Sequence, residues 1–305
     1  MVRKKRDFKN ILGILLALAI LLFYYFSNPS DTHDSGQGGN IPTFSEENFS
    51  AVQGDLVVSF IDVGQGDSIL VEQGSSTMLI DCGTAQSAEQ IIEFLESRSV
   101  QSLDHLVLTH PHEDHIGGAV AVVERFPVVQ VHMPNKPHTT ATYGNTLETL
   151  AAQNIAISAA QAGGSFQLGE ALVEILGPVE IYSDLNNCSV VLRLSYGENS
   201  FLFTGDAEIQ AEEDILRKRG KLKADLLKVS HHGSNTSSSQ AFLDTVLPRI
   251  AVISCSADNE YGHPHPETIK KLQDMGTSIF RTDLQGTILA VSDGKEIKIF
   301  TGDSL

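Results

Sequence analysis

Thr109-His110-Pro111-His112-Glu113-Asp114-His115-Ile116-Gly117-Gly118 is the stretch that decides how this chain folds. It places three histidines and an aspartate between positions 110 and 115, directly after Leu106-Val107-Leu108, an apolar run that reads as a buried strand. His110 and His112 are two residues apart, so a turn can aim both imidazoles at one point. Asp114 and His115 follow closely enough to be aimed at a second point a few ångströms away. Imidazole and carboxylate together suit Zn²⁺, Mn²⁺ or Fe²⁺ better than Ca²⁺, which prefers an all-oxygen shell. The other reading is a polar turn whose histidines face water. Four ligand-type residues rarely cluster this way for packing alone, so the run points to metal.

Three further apolar runs end in polar residues. Thr77-Met78-Leu79-Ile80 leads into Asp81, Phe201-Leu202-Phe203-Thr204-Gly205 into Asp206, and Leu226-Leu227-Lys228-Val229-Ser230 into His231-His232-Gly233-Ser234. In this order, the His-x-His-x-Asp-His cluster and these stations resemble the metallo-β-lactamase superfamily over about residues 54–305. One station departs from the pattern. Where a histidine is expected after the cluster, the chain reads Asn186-Asn187-Cys188-Ser189. Phe60-Ile61-Asp62-Val63-Gly64-Gln65-Gly66-Asp67-Ser68 and Tyr261-Gly262-His263-Pro264-His265-Pro266-Glu267 are similar to the branch found in competence DNA-uptake channel proteins. There, Asn-Asn-x-Ser is usual at the departing station. Many members of that branch carry aspartate at the second histidine of the cluster, whereas this chain keeps His112. Extracellular phosphorylcholine esterases that trim teichoic acid share similar parts.

The resemblance implies roles residue by residue. His110 and His112 would hold a first metal, Asp114 and His115 a second, with Asp206 bridging and His232 completing the second. His231 would then face a substrate oxygen, with a supporting hydrogen bond behind the ligands as the alternative for one of this pair, and Asp81 would orient the centre without ligating. The first metal, short of one histidine, would be completed by water, Asn187 or a loop residue such as His138; a solvated loop histidine is the alternative for His138. His263 and His265 precede a helix, where an imidazole can act as general acid or phosphate donor, or instead cap the helix and fix the loop. Asp62 and Asp67 frame a glycine-rich turn, where satisfying turn backbone is the expected role. Zn or Mn, one or two ions per chain, is the implied cofactor. Two such ions ~3.5–4 Å apart lower the pKa of water from about 15.7 toward ~7, so no protein nucleophile is required. Ser230 and Ser234 read as turn residues.

The chain carries 21 basic and 38 acidic residues, a net charge of −17, and no tryptophan. Leaving out residues 1–27 leaves 16 basic and 37 acidic residues. A DNA-tracking surface needs a basic stripe, and none is visible, which argues against a processive nuclease and for small or locally gripped substrates. Arg3, Lys4, Lys5, Arg6 and Lys9 precede the apolar run 11–26. That order predicts a basic cytoplasmic tail (1–9), a transmembrane anchor (10–27), a flexible linker (28–53) and an extracytoplasmic hydrolase domain (54–305), with a cleaved signal peptide as the rival. Cys82, Cys188 and Cys255 give an odd count, read as small buried residues. Cys188 is also weighed as a thiolate ligand beside the missing histidine.

Strand patterns at 56–61, 68–72, 77–80 and 105–108, then at 172–176, 189–195, 200–203, 226–229, 250–254, 286–292 and 296–301, alternate with helical patterns. The helices fall at 88–97, 117–125, 146–153, 211–219 and 266–275. The expected fold class is α/β, a four-layer αββα sandwich with metals in the cleft, preceded by one N-terminal transmembrane helix. Metal-assisted hydrolysis is the expected chemistry. A phosphodiesterase or nuclease-like enzyme acting outside the membrane, on nucleic acid or a wall polymer, comes first. Next is a hydrolase of lactones, thioesters or teichoic-acid phosphorylcholine, and last a non-catalytic metal-binding module. A true β-lactamase is disfavoured by the absent third histidine.

Overall fold

A computed structural model of the chain describes residues 43–44, 56–218 and 220–302. The run 11–26 and the expected linker, apart from residues 43–44, therefore lie outside the described residues. Among the described residues, no helix is long and apolar enough to cross a membrane.

Two mixed sheets face each other. Among the described residues, the first has nine strands in the spatial order Thr43–Phe44, Ile297–Gly302, Ile288–Ser292, Leu56–Phe60, Ile69–Gln73, Ser76–Ile80, Leu103–Val107, Val128–Met133 and Ala156–Ala159. The second has seven: Ser278–Arg281, Ile250–Ile253, Leu226–Lys228, Asn199–Phe203, Val191–Tyr196, Ala171–Gly177 and Ser165–Leu168. The layers follow from the two-residue side-chain period. Ile69, Val71, Met78 and Ile80 point into a core shared with Leu192, Leu194, Phe201 and Phe203 of the other sheet. Leu70, Leu79 and Leu106, on the opposite parity, pack with Ile91, Leu95, Val122 and Leu150 of the helices Ala88–Ser97, Ala119–Arg125 and Ala141–Ala152. Leu202, Leu227 and Ala251 likewise meet Ile215, Phe242, Leu243 and Leu272 of Ile209–Arg217, Gln240–Val246 and Pro266–Asp274. Each sheet is thus buried on both faces, which accounts for its near-continuous apolar runs.

Several elements differ from the expectation. Val128–Met133, Ala156–Ala159, Ser165–Leu168 and Ser278–Arg281 are strands the sequence pattern did not single out. Ala156–Ala159 is exposed at all four positions, so it carries no burial period and is a strand only because Val128–Met133 pairs with it. The helix placed at 146–153 begins earlier, at Ala141, where the Thr140 hydroxyl accepts a hydrogen bond from the Tyr143 N–H.

One polar pair lies between the sheets. His105 Nδ1 is 3.0 Å from His132 Nε2, His105 Nε2 is 3.2 Å from the Gln167 carbonyl, and Phe166 stacks on His132 at 4.3 Å. With His105 Nε2–H donating to Gln167, its Nδ1 accepts from His132 Nε2–H, and both rings are neutral. Burial, then the neighbouring imidazole, pushes the His132 pKa down to about 4, and burial also lowers that of His105. The unfolded chain, with histidine near ~6.5, binds more protons below that pH. Stability is therefore full above pH ~6.5 and is lost as the pH falls toward 4, by an amount of order 1–3 kcal/mol. His132→Gln keeps a donor for His105 but cannot titrate. Thermal unfolding at matched metal content should show a smaller loss of Tm between pH 6.5 and 4.5 for this variant than for the parent. Superimposable pH profiles would exclude the pair as the cause.

Candidate metal centre

Parallel strands of both sheets deliver their carboxyl ends to one edge of the sandwich, the usual address for ligand sites in such sheets. Asp81 follows Ser76–Ile80, the His110–His115 loop follows Leu103–Val107, Asp206 follows Asn199–Phe203, and His231-His232 follow Leu226–Lys228. The loop after Leu103–Val107 closes into a single helical turn, Glu113–Ile116, with Gly117 and Gly118 beneath it. A Cβ at Gly118 would sit 2.3 Å from the Cys82 carbonyl oxygen, and one at Gly66 2.3 Å from that of Asp114. Only glycine lets these segments pack so closely.

One ligand atom from each of Asp114, His115, Asp206 and His232 falls within 4.8 Å of the other three. His115 Nε2 is 3.3 Å from Asp206 Oδ2 and 3.7 Å from Asp114 Oδ2. His232 Nε2 is 3.4 Å from Asp114 Oδ2 and 3.6 Å from Asp206 Oδ2. Ligands ~2.0–2.1 Å from a tetrahedral ion are about 3.3–3.4 Å apart, so these edges match such a shell. His115 Nε2, His232 Nε2 and Asp206 Oδ1 are buried with no hydrogen-bond partner. Two orphaned imidazole nitrogens that both face Asp206 Oδ2 and Asp114 Oδ2 are costly unless something binds them. The donor set fits a transition-metal ion.

The supporting contacts fix which nitrogens face the centre. Asp81 accepts hydrogen bonds from Thr109 N–H at 2.7 Å, the Thr109 hydroxyl at 2.6 Å and His115 Nδ1–H at 2.8 Å. His232 Nδ1–H donates to the Ser254 carbonyl at 2.9 Å. Both rings therefore turn Nε2 inward, as a carboxylate or carbonyl behind a ligating histidine does. Asp81, His231 and His232 all have left-handed backbones, with φ of 60°, 49° and 51°. Each costs about 1–3 kcal/mol, and such strain concentrates at functional sites.

A second point lies alongside. His110 Nε2 is 3.0 Å from His112 Nδ1 and 3.7 Å from Asp206 Oδ2, so the Asp206 oxygen faces both groups. Ser189, which the sequence reading left without a role, accepts from Asp206 N–H at 3.1 Å and lies 3.4 Å from His110 Nδ1. Asn187 does not point its oxygen at the centre. That oxygen accepts from the N–H groups of Glu208 and Ala211, at the start of Ile209–Arg217. Cys188 is a buried thiol whose Sγ–H points to the Tyr182 and Asp184 carbonyls; burial raises its pKa, against a thiolate ligand. Cys82, Cys188 and Cys255 are all free and buried. His138 is beside Thr140 Oγ1 at 3.1 Å, on the loop before Ala141–Ala152.

His231 stands outside the four-atom group. Its Nε2 is 3.8 Å from Asp206 Oδ2, and its Nδ1 is 3.2 Å from Glu208 Oε1, which also accepts from the Thr236 hydroxyl at 2.7 Å. Glu208 was missed in the sequence; its one local signal is a second carboxylate two residues after Asp206. His263 lies 5.4 Å from His231, ring to ring, with the exposed Tyr261 stacked on its other side. Burial, then His231, His232 and His265, lowers the His263 pKa to about 4, so it is a neutral imidazole at neutral pH. His265 Nδ1 accepts from Asn235 N–H at 3.2 Å and its backbone carbonyl receives Thr268 N–H, which fixes the loop and starts the helix. Asp62 Oδ1 accepts from Gly64 N–H at 3.2 Å, a turn role. Asp67 is different: it is 2.7 Å from the buried Lys228 Nζ.

Residues 61–257 match the metallo-beta-lactamase superfamily, and the chain belongs to it. It is related to competence proteins. ComE operon protein 3 of Bacillus subtilis is 31% identical over 250 residues, covering 76% of this chain and 32% of that protein. Competence protein ComA of Neisseria gonorrhoeae is 35% identical over 239 residues, covering 77% and 32%. The chain thus spans about a third of the length of the curated relatives it matches. The metallo-beta-lactamase fold protein YhfI of Bacillus subtilis shares the fold, with a TM-score of 0.52 at 13% identity over 74% of this chain and 96% of that one.

Proposed function

We propose that this chain is a metal-dependent hydrolase whose substrate is a phosphodiester, in nucleic acid or a wall polymer. The observation that carries the reading is the Asp114–His115–Asp206–His232 group with its orphaned nitrogens. His110, His112 and Asp206 would hold a first ion, and Asp114, His115, His232 and Asp206 a second, Zn or Mn. When bound, such ions supply Lewis acidity and lower the pKa of water toward ~7.

The protein's own groups do the rest. Asp81 and the Ser254 carbonyl hold two imidazoles in one tautomer, and burial excludes bulk water behind them. Thr236 Oγ1, 3.3 Å from His231 Nδ1, accepts the Nδ1–H with Glu208 beside it; in the doubly protonated ring the Nε2–H at the edge of the centre can then donate to a phosphoryl or leaving-group oxygen. His263, neutral, contributes a hydrogen bond rather than a proton. Within the same reading, the basic and apolar amino terminus anchors residues 54–305 outside the membrane. The acidic balance supports a substrate gripped locally at the centre. It also favours the second reading, a small lactone, thioester or phosphorylcholine ester.

The test uses the full-length chain in detergent, loaded with Zn²⁺ or Mn²⁺, on bis-p-nitrophenyl phosphate. Metal-dependent turnover is expected. His231→Ala should lower kcat by about 10²-fold or more at unchanged metal content, and Glu208→Gln by less. A metal-loaded protein that leaves the phosphodiester intact but opens lactones or thioesters establishes the second reading instead.

A further inference from the structure

Lys228 ends the strand Leu226–Lys228 with its side chain fully inside the protein, and no step above uses it. Its Nζ donates to Asp67 Oδ2 at 2.7 Å and to the Val229 carbonyl at 3.1 Å. Asp67 belongs to the other half of the molecule, in the loop after Leu56–Phe60. Its own backbone grips the metal loop: Asp67 N–H donates to the Asp114 carbonyl at 3.2 Å, and its carbonyl accepts from Gly83 N–H at 2.8 Å. The other carboxylate oxygen, Oδ1, has no hydrogen-bond partner and lies 3.7 Å from His232 Nδ1.

An unbroken path therefore runs from the strand preceding His231-His232, through Lys228 and Asp67, to the backbone of Asp114. Burying an ammonium and a carboxylate costs several kcal/mol per ion, and a buried pair is a poor stabiliser; its best-attested use is to fix register. The centre has such a need. Asp114 and His115 come from one sheet, Asp206 and His232 from the other, and near the centre the core between the sheets is largely apolar and non-directional, the His105–His132 pair with its bond to Gln167 lying elsewhere between them. Apolar packing tolerates small slides of one sheet over the other, whereas a metal shell needs its ligands placed within about 0.5 Å.

We propose that Lys228 is a positioning residue: its ion pair with Asp67 locks the two sheets in the register that brings Asp114 and His232 onto one ion. The inference rests on the metal-centre reading above. The test measures Zn²⁺ and Mn²⁺ affinity of the full-length protein by chelator competition, together with the visible spectrum of the Co²⁺-loaded form, for Lys228→Met, Asp67→Asn and the double variant. Each single variant should bind 10–100-fold more weakly and shift the Co²⁺ bands. The double variant should be no weaker than the poorer single, because the two groups act as one unit. Asp67→Asn keeps the side-chain volume and carries the test if Lys228→Met does not fold. Parental affinity and spectrum in the folded single variants, or losses that simply multiply in the double, overturn the inference and leave the metal centre standing. A parent protein that binds none of these ions overturns both.

Discussion

Asp206→Ala is expected to empty the centre: Zn²⁺ affinity should fall about 10²–10⁴-fold, the equivalent of the 3–5 kcal/mol cost of breaking a buried ion pair, and phosphodiester turnover should fall to background. Asp206 Oδ2 is the oxygen on which four imidazoles converge, 3.3 Å from His115, 3.6 Å from His232, 3.7 Å from His110 and 3.8 Å from His231. Burial pushes its pKa up, but His115, His232 and His110 outweigh it and hold the carboxyl well below the usual range. The same oxygen lies within reach of His110 in one group and of His115 and His232 in the other. Its removal leaves both without their shared charge. Metal content after dialysis and kcat on bis-p-nitrophenyl phosphate check this together. A variant that retains parental metal would remove Asp206 from the centre.

Asp81→Asn should be nearly as damaging, though Asp81 touches no substrate. The carboxylate accepts three hydrogen bonds inside the protein, two from Thr109 and one from His115. An amide of the same shape has one acceptor oxygen, so its NH₂ must face a donor. Losing charge-assisted bonds and stranding a buried donor costs about 2–4 kcal/mol. His115 then keeps at best a neutral amide oxygen behind Nδ1 in place of a carboxylate, a weaker hold on the ring that turns Nε2 inward, which lowers metal affinity 10–100-fold. The left-handed φ of 60° is not the reason for the loss, because asparagine adopts that conformation readily. Chemical denaturation and Zn²⁺ competition measure the two effects separately. Unchanged values in both would mean that the Asp81–His115 contact orients nothing.

Much of this was legible in residue order. Each group of ligand-type residues follows an apolar run, and an apolar run ending in aspartate or histidine is visible without coordinates. The two-sheet plan was legible for the same reason, since strands buried on both faces read as continuous apolar stretches. The edge strand Ala156–Ala159 was not, because its strand character comes from a neighbour's hydrogen bonds and not from its own burial, and Ser165–Leu168 was too short for its two inward residues, Phe166 and Leu168, to show a period. Nor could spacing say that Asn187 caps a helix instead of facing the metal.

The histidine pair shows the division most plainly. His231 and His232 are adjacent in the chain, and their identical side chains give the sequence no means of separating them. Two successive left-handed residues turn His232 into the buried group and leave His231 against Glu208. Lys228 looked like one polar position in an apolar strand, and Asp67 like a turn residue 161 positions away. What the sequence by itself determined is the set of ligand types and the strands that carry them, because those depend on local composition and period. What only the tertiary structure decided is which nitrogen faces inward, and which charges meet between the sheets. Those depend on distances between segments that the chain order does not encode.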